Sequence, residues 1–456
     1  MANDKLFTEF EKVSSKEWKQ KIQVELKGAD YNETLVWESL EGIKVKPFYG
    51  SDEFEKKYTY STPNNPFKIG QKIFVQEEKL SVKKAGEFIQ KGADVVYFTI
   101  PNDEKNIEEL IEFTKTKAAF FYLPFLSNDF VSKFNTIENG NLLIDPIGQL
   151  VLDGNWFTNL ETDFHALNQF NNNLKSSFLS VKSEIYQNAG ANMVQQLAYT
   201  LAHVNEYFNR IENIQQKITI EVAVGSNYFF EIAKLKALRL LIETLANEYN
   251  FTAGFQIIAT PTKRNKTLYD YNVNMLRTTT ECMSAILGGA DIVINNNYDA
   301  IYHKENEFGN RIARNQLLVL KNESYFDKVN NATDGAYYIE TLTEQLAEKT
   351  LELFKDIEAN GGFITQLIEG TIQRKINQSA QKEQELFDSG KEVLLGTNKY
   401  PNKNDQMKND LELYPFVKQN PRKTLITPVI ERRLAEKLEQ ERLSQNQRIL
   451  KKIFKI

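Results

Sequence analysis

Cysteine and histidine are scarce in this chain, which has one Cys and three His among 456 residues. The single cysteine, Cys282, excludes an intramolecular disulfide and any metal site built from several cysteines. It lies in a helix-like stretch of small residues, RTTTECMSAILGG, which favours a packed core thiol. The histidines, His165, His203 and His303, have no metal-ligand spacing. We therefore expect no metal centre.

Long apolar runs and an excess of either charge are also missing. The most apolar segment, AAFFYLPFL (118–126), is about half as long as a membrane-spanning helix must be. The 56 basic and 61 acidic residues are mixed along the chain and give a net charge of -5, so there is no basic surface typical of nucleic-acid binding. We therefore expect no nucleic-acid or membrane partner. Because the N-terminus MANDKLFTEF is charged rather than apolar and the chain has a single cysteine, we expect a cytoplasmic protein.

Eight short runs rich in Val, Ile, Phe and Tyr have strand character. Segments with helical spacing lie between them, for example 103–117, 191–211 and 229–249. Eight alternations require parallel strands covered by helices, which predicts a (β/α)8 TIM barrel, with an open doubly wound sheet as the alternative. The predicted strands are KIFVQ (72–76), ADVVYFTI (93–100), AAFFYLPFL (118–126), NLLIDPIG (141–148), FLSVKSEI (178–185), KITIEVAVG (217–225), FTAGFQIIATP (251–261) and ADIVINNN (290–297).

The chain divides into three parts. Residues 1–60 are predicted to form an N-terminal arm with a helix at 15–28, and they have too little apolar surface to fold alone. Residues 61–400 contain the barrel and its trailing helices. Residues 401–456 are an irregular connection followed by a charged C-terminal helix, which we expect to be solvated or packed on a partner.

A few polar residues are candidates for a site at the carboxyl ends of the strands, where barrel enzymes place their chemistry. His303 follows the eighth predicted strand, whereas His165 and His203 are interpreted as ordinary helix residues. The remaining candidates suit either a cavity for a polar ligand or simple loop structure, and both interpretations stay open. These candidates are Lys182, Ser183, Thr260, Thr262, Asn295, Asn296 and Asn297.

Several motifs in one order resemble the methylmalonyl-CoA mutase family, whose members use adenosylcobalamin to interconvert methylmalonyl-CoA and succinyl-CoA by radical chemistry. The resemblance runs from about residue 30 to residue 400. The motifs include LVWESLEGIKVKPFY, NAGANMVQQLAYTLAHVNEY, FFEIAKLKALRLL, DYNVNMLRTTTECMSAILGGAD, RIARNQLLVLKNES with DGAYYIETLTEQLAEK, and GGFITQLIEGTIQRKINQSAQKEQELFDSGKEVLLGTNKY.

The departures from the family pattern fall on its catalytic positions. The family's Pro-Trp-x-Ile-Arg-Gln-Tyr segment reads PFKIGQK here, so Gly70 replaces the arginine and Lys72 replaces the tyrosine. The family's active-site histidine corresponds to Ile185, which can neither donate a hydrogen bond nor transfer a proton. The motif Asp-x-His-x-x-Gly of the family's cobalamin-binding domain does not occur. By this resemblance no residue of the chain is expected to be catalytic.

The pattern is similar to the small-subunit type of this family, which lacks the cobalamin-binding domain. That resemblance implies a heterodimer in which a large subunit binds adenosylcobalamin and the acyl-CoA substrate, with the arm and the C-terminal helix as subunit contacts. Two alternatives remain. One is a catalytic barrel whose cobalamin domain is a separate chain. The other is a regulatory CoA-ester module, for which Asn274, Arg277 and Arg311 match polar family positions.

Overall fold

The computed structural model describes residues 9–55, 58, 66–407, 410–418 and 421–453. The N-terminal arm contains the helices α1 Ser15–Glu25 and α2 Tyr31–Leu35 and the antiparallel pair β1 Trp37–Glu38 and β2 Lys44–Val45. Helix α1 begins with a capping box, because the Ser14 hydroxyl accepts from the Glu17 amide while the Glu17 carboxylate accepts from the Ser14 amide. The predicted arm helix is therefore present and ends at Glu25.

All eight predicted barrel strands are present and pair in parallel. The first strand begins at Lys68, earlier than the predicted start at Lys72. The sequence pattern places the start too late because Lys68 and Gly70 interrupt the run of apolar residues. The strands are β3 Lys68–Phe74, β4 Val95–Thr99, β5 Ala119–Tyr122, β6 Gly140–Leu143, β7 Ser180–Lys182, β8 Ile218–Val224, β9 Phe255–Pro261 and β10 Ile292–Ile294.

The sheet closes on itself. Its strand order is β6-β5-β4-β3-β10-β9-β8-β7, and a parallel bridge between Ile144 and Leu179 joins the two ends. Closure excludes the open doubly wound sheet and confirms the (β/α)8 barrel. Three backbone hydrogen bonds accompany this bridge at the seam between β6 and β7, from the amides of Leu142, Ile144 and Ser180 to the carbonyls of Ser177, Phe178 and Ile144.

Helices cover the outside of the barrel and continue beyond it. The chain connects the strands through α3 Glu78–Gln90, α4 Glu108–Thr114, α5 Asn128–Ser132, a 3-10 helix Lys133–Thr136, α6 Pro146–Asp153, α7 Leu160–Asn173, α8 Glu184–Asn188, α9 Met193–Arg210, α10 Tyr228–Glu248 and α11 Val273–Leu287. After β10 come α12 Glu307–Asn322, α13 Tyr337–Ala359, α14 Gly362–Ile368, α15 Thr371–Asp388 and α16 Glu436–Ile453. No helix in the described ranges is long and apolar enough to cross a membrane.

The inside of the barrel is packed with large side chains. Gly70 makes this packing possible, because a Cβ on it would lie 2.6 Å from Ile294 Cγ1 and 3.1 Å from Ile292 Cγ2. Alternate residues of the same strands face outward and join the main core beneath the helices. The inner cluster consists of Val95, Tyr97, Phe120, Leu143, Ile258, Ile292 and Ile294.

The N-terminal arm packs on the barrel of its own chain. Ile43 is buried in the main core, and the Trp37 ring lies 5.6 Å from that of Phe230. The Tyr49 ring lies 5.1 Å from that of Tyr338. The arm therefore buries apolar residues against the barrel of its own chain. A contact between the arm and a second subunit remains a prediction.

We expect Gly70→Ala to destabilise the protein by about 1 to 3 kcal/mol, because the added methyl group overpacks the inner cluster. The free energy of unfolding in urea measures the loss. The matched control is Gly86→Ala in α3, where nothing lies within 4 Å of the new Cβ and helix propensity favours alanine. Equal effects of the two substitutions would contradict the tight fit at Gly70.

Candidate functional site at the barrel mouth

Two lysines and two glutamates form a charge-balanced layer at the carboxyl end of the barrel interior. The Lys182 ammonium lies 3.4 Å from Glu184 and 3.9 Å from Glu221, and it sits 4.0 Å from the Tyr122 ring centroid. The Tyr97 hydroxyl donates to Glu221 at 2.8 Å. Burial raises the pKa of Glu184, but Lys182, Lys72 and Lys263 outweigh it and lower that pKa to about 2. The layer is therefore held together by opposite charges.

Lys72 completes this layer from β3. Its ammonium lies 5.2 Å from the centroid of the Tyr97 ring, in a cation-π contact. Burial, together with the like charge of Lys182, lowers the pKa of Lys72 despite the attraction of Glu184 and Glu221. The Lys72 side chain therefore joins the layer while remaining partly exposed.

Ile185 points away from this layer. It belongs to the short helix α8, is 1% exposed and packs in the main core. Its side chain offers no polar atom to the barrel mouth. Of the three positions singled out in the sequence, Gly70 and Lys72 lie inside the barrel. Ile185 packs from α8 into the main core.

A second buried polar cluster, which the sequence interpretation missed, braces the seam between β6 and β7. Asp145 follows β6, and one carboxylate oxygen contacts His203 Nε2 at 2.9 Å and accepts from Tyr207 at 2.5 Å. Its other oxygen accepts from the backbone amide of Lys182 in β7 at 2.7 Å. His203 contacts Tyr186 through Nδ1 at 2.9 Å and is fully buried, so it is more than an ordinary helix residue.

Two sequence signals pointed to this cluster. Asp145 precedes Pro146, a combination typical of a helix start, and its side chain does cap α6. His203 lies four residues from Tyr199 and four from Tyr207, which places all three on one stripe of α9. Neither signal indicates which strands the carboxylate connects, since that depends on the closure of the barrel.

Two of the three positions considered for CoA binding, Asn274 and Arg277, contact each other. Arg277 donates to Thr267, to Asn274 and to the carbonyl of Leu395, each at 2.8 Å. Asn274 is fully buried and donates to the carbonyls of Thr267 and Tyr298. These bonds tie loops together.

Arg311 and His303 both follow β10 in the chain. Arg311 is exposed on α12, with its guanidinium 5.4 Å from the Phe308 ring centroid. His303 Nδ1 contacts Asp299 at 3.1 Å, and its ring packs 4.3 Å from that of Tyr302. Neither residue makes a described contact with the lysine and glutamate layer.

The polar residues at the strand ends mostly bond to neighbouring strand ends and helices. Asn295 donates to the carbonyl of Ala313, Asn296 to that of Pro261, and Asn297 to the Asn310 side chain. Thr262 donates to Asn188, and Ser183 contacts Thr200. The structure therefore favours the loop interpretation of these residues. Cys282 is fully buried, as expected, and no metal-binding group of His, Cys, Asp and Glu occurs among the residues described.

A segment from the C-terminal part of the chain, residues 421–435, crosses the mouth of the barrel; we call it the strap. It passes the loops that follow β6, β7 and β9. Gly154 is needed at one contact, because a Cβ there would lie 2.6 Å from the carbonyl oxygen of Ile426. Strap amides donate in four backbone hydrogen bonds: Ile426 to Gly154 (3.0 Å), Val429 to Val151 (2.8 Å), Arg432 to Asn188 (3.1 Å) and Leu434 to Arg264 (2.9 Å).

Comparison with known proteins identifies the family of this barrel. A family model for methylmalonyl-CoA mutase matches residues 134–455. The chain belongs to the methylmalonyl-CoA mutase family. The matched range includes the seam, the strap and the layer residues Lys182, Glu184 and Glu221, whereas Lys72, Tyr97 and Tyr122 precede it.

Relatives within the mutase family differ in how much of their length this chain covers. A methylmalonyl-CoA mutase small subunit from Porphyromonas gingivalis is 32% identical over 88% of this chain and 71% of its own length. Methylmalonyl-CoA mutases from Cereibacter sphaeroides and Escherichia coli are 35% and 30% identical, over 50% and 46% of this chain. The chain spans only 33% and 31% of those two mutases. It thus covers far more of the small subunit than of the other two.

We expect Asp145→Asn to lower the free energy of unfolding by about 3 kcal/mol at pH 7, because the substitution removes a buried charge that contacts His203, Tyr207 and the backbone amides of Gly148 and Lys182. Asp103→Asn, at an exposed position, is the matched control. Urea unfolding monitored by circular dichroism measures both. A loss no larger than that of the control would contradict a bracing role.

The difference in the free energy of unfolding between wild type and Asp145→Asn should depend on pH with a definite sign. Burial raises the pKa of Asp145, but His203 and the hydrogen bonds to Tyr207 and Lys182 outweigh it, so the pKa in the fold is below its ordinary value. The stabilisation is therefore present above the unfolded-state pKa of about 3.9 and is lost as the pH falls through the lower folded-state value. The difference between wild type and variant should stay constant from about pH 5 to 8 and shrink below about pH 4.

Proposed function

We propose that this chain is the non-catalytic small subunit of a heterodimeric, adenosylcobalamin-dependent methylmalonyl-CoA mutase, whose large subunit carries the reaction. The observation that supports this most is the filled barrel. The apolar inner cluster occupies its interior, and the layer of Lys72, Lys182, Glu184 and Glu221 lies above it. A substrate acyl group would need open space at this place, whereas the inner cluster packs closely around Gly70. The cations Lys72 and Lys182 lie among Glu184, Glu221 and the rings of Tyr97 and Tyr122.

The cofactor does not fit the mouth of this barrel. The strap crosses the face against which a large cofactor would be held between domains, and it is fixed there by four backbone hydrogen bonds. His203 does not face the strap side as a free ligand, because its two ring nitrogens contact Asp145 and Tyr186, while His303 contacts Asp299 through Nδ1. The proposal therefore assigns adenosylcobalamin, and the acyl-CoA with it, to the large subunit.

The contribution of the small subunit would be rigid packing. A radical enzyme must bury its intermediates, and a second barrel can stabilise the first without any chemistry of its own. The proposal keeps the arm (1–60) and the C-terminal part (401–456) as candidate contacts with the large subunit, and 61–400 as the barrel unit. Exposed side chains on the arm, among them Trp18 (52% exposed) and Val24 (73% exposed), suit such a contact. The complex is proposed to be cytoplasmic.

The first test is the native mass and composition of the chain purified through a tag from its own cells. We expect a one-to-one complex with a larger barrel chain that binds cobalamin. A chain that is free, or paired only with a small cobalamin-domain protein, would contradict the proposal. Mutase turnover by this chain with adenosylcobalamin and such a small partner, and no other barrel present, would instead establish the catalytic alternative.

We also expect no saturable binding of methylmalonyl-CoA or CoA to the isolated chain in calorimetry, because Asn274 and Arg277 are engaged in contacts with loops of the chain and the Arg311 guanidinium packs on Phe308. The purified heterodimer serves as the positive control. Binding by the isolated chain that disappears in Arg277→Gln or Arg311→Gln would favour the regulatory CoA-ester module.

A further inference from the structure

One carboxylate of the strap, that of Glu431, accepts hydrogen bonds from two donors at the barrel mouth. Glu431 Oε1 accepts from Asn188 Nδ2 at 3.0 Å, and Oε2 accepts from Lys263 Nζ at 2.8 Å. Both partners follow barrel strands: Asn188 ends α8 after β7, and Lys263 comes directly after β9. The contact is therefore made between the strap and the loops that form the mouth, and each carboxylate oxygen has its own donor.

The donor pair is built by the barrel itself. Asn188 is 3% exposed, and its amide oxygen accepts from the Thr262 hydroxyl at 2.8 Å and from the Lys263 amide at 2.9 Å. Because both acceptor directions of that oxygen are used, the amide nitrogen must point outward, toward Glu431. The orientation of Asn188 is thus set by residues other than the strap carboxylate.

The charged groups around Asn188 and Lys263 favour the binding of a single anion. Lys72 and Lys182 balance Glu184 and Glu221 in the layer below, and Lys263 lies near enough to act on Glu184 and Lys72. Lys263 therefore adds one positive charge that Glu431 neutralises. A site that combines one ammonium group with one outward amide suits a single carboxylate.

The strap does not need Glu431 to stay in place. Arg433 Nη1 donates to the fully buried Glu439 at 2.6 Å and to the carbonyl of Lys266 at 3.1 Å. Glu439 also accepts from the amide of Leu268 at 2.6 Å. These bonds and the strap backbone contacts remain when the Glu431 side chain is removed.

We propose that Asn188 and Lys263 form a binding subsite for a small carboxylate anion and that Glu431 is its tethered, intramolecular ligand. In the intact chain the strap occupies the subsite and excludes free carboxylates. When the Glu431 side chain is removed, the subsite binds a carboxylate from solution. This inference concerns the chain alone and does not depend on its assembly with a large subunit.

The test is chemical rescue of Glu431→Ala by sodium formate. Formate should raise the Tm of this variant in a saturable manner, by about 1 to 2 °C when its concentration is tenfold above the Kd, relative to sodium chloride at the same ionic strength. Wild type should show no formate-specific rise, because its own carboxylate fills the subsite. The double variant Glu431→Ala with Lys263→Met should lose the rise.

Glu441→Ala is the matched control, since Glu441 is an exposed glutamate on α16 with the same charge. It should respond to formate as wild type does. Equal shifts in wild type, Glu431→Ala and Glu441→Ala would overturn the proposal, because they would show a general salt effect. No formate-specific shift in a Glu431→Ala protein that retains its native circular dichroism would overturn it as well.

Discussion

A closed barrel of eight strands encloses a space that side chains must fill, and the way in which this chain fills it decides what the barrel can do. The lower part is apolar and fits only because Gly70 has no side chain to meet Ile292 and Ile294. The upper part is a balanced layer of lysines and glutamates that Tyr97 and Tyr122 support. A barrel filled in this way is a rigid body.

Two further features follow from closure. The seam between β6 and β7 has a single bridge, and Asp145 strengthens it by linking the end of β6 to the backbone of β7 and to α9. The mouth is then crossed by the strap, so the face that carries chemistry in barrel enzymes is in contact with the chain itself. Membership of the mutase family and the filled interior therefore fit a subunit whose contribution is structural.

The strand pattern and the family motifs could be found in the sequence, and so could the departures at Gly70, Lys72 and Ile185. The first strand was placed too late because Lys68 and Gly70 do not resemble a buried strand. The Asp145 and His203 cluster was missed because its members are 58 residues apart and only the closed barrel brings them together. Arg277 and Arg311 share a basic character in sequence, yet in the fold Arg277 donates to Thr267, Asn274 and Leu395 whereas Arg311 lies against the Phe308 ring.

The sequence by itself determined the alternation of strands and helices and the family, because these are properties of local pattern and residue identity. Only the tertiary structure decided that Lys72 and Lys182 are balanced by Glu184 and Glu221, that Arg277 ties loops together, and that Glu431 reaches Asn188 and Lys263. Such outcomes depend on which distant segments meet. That is set by the closure of the barrel and by the course of the strap, neither of which local periodicity encodes.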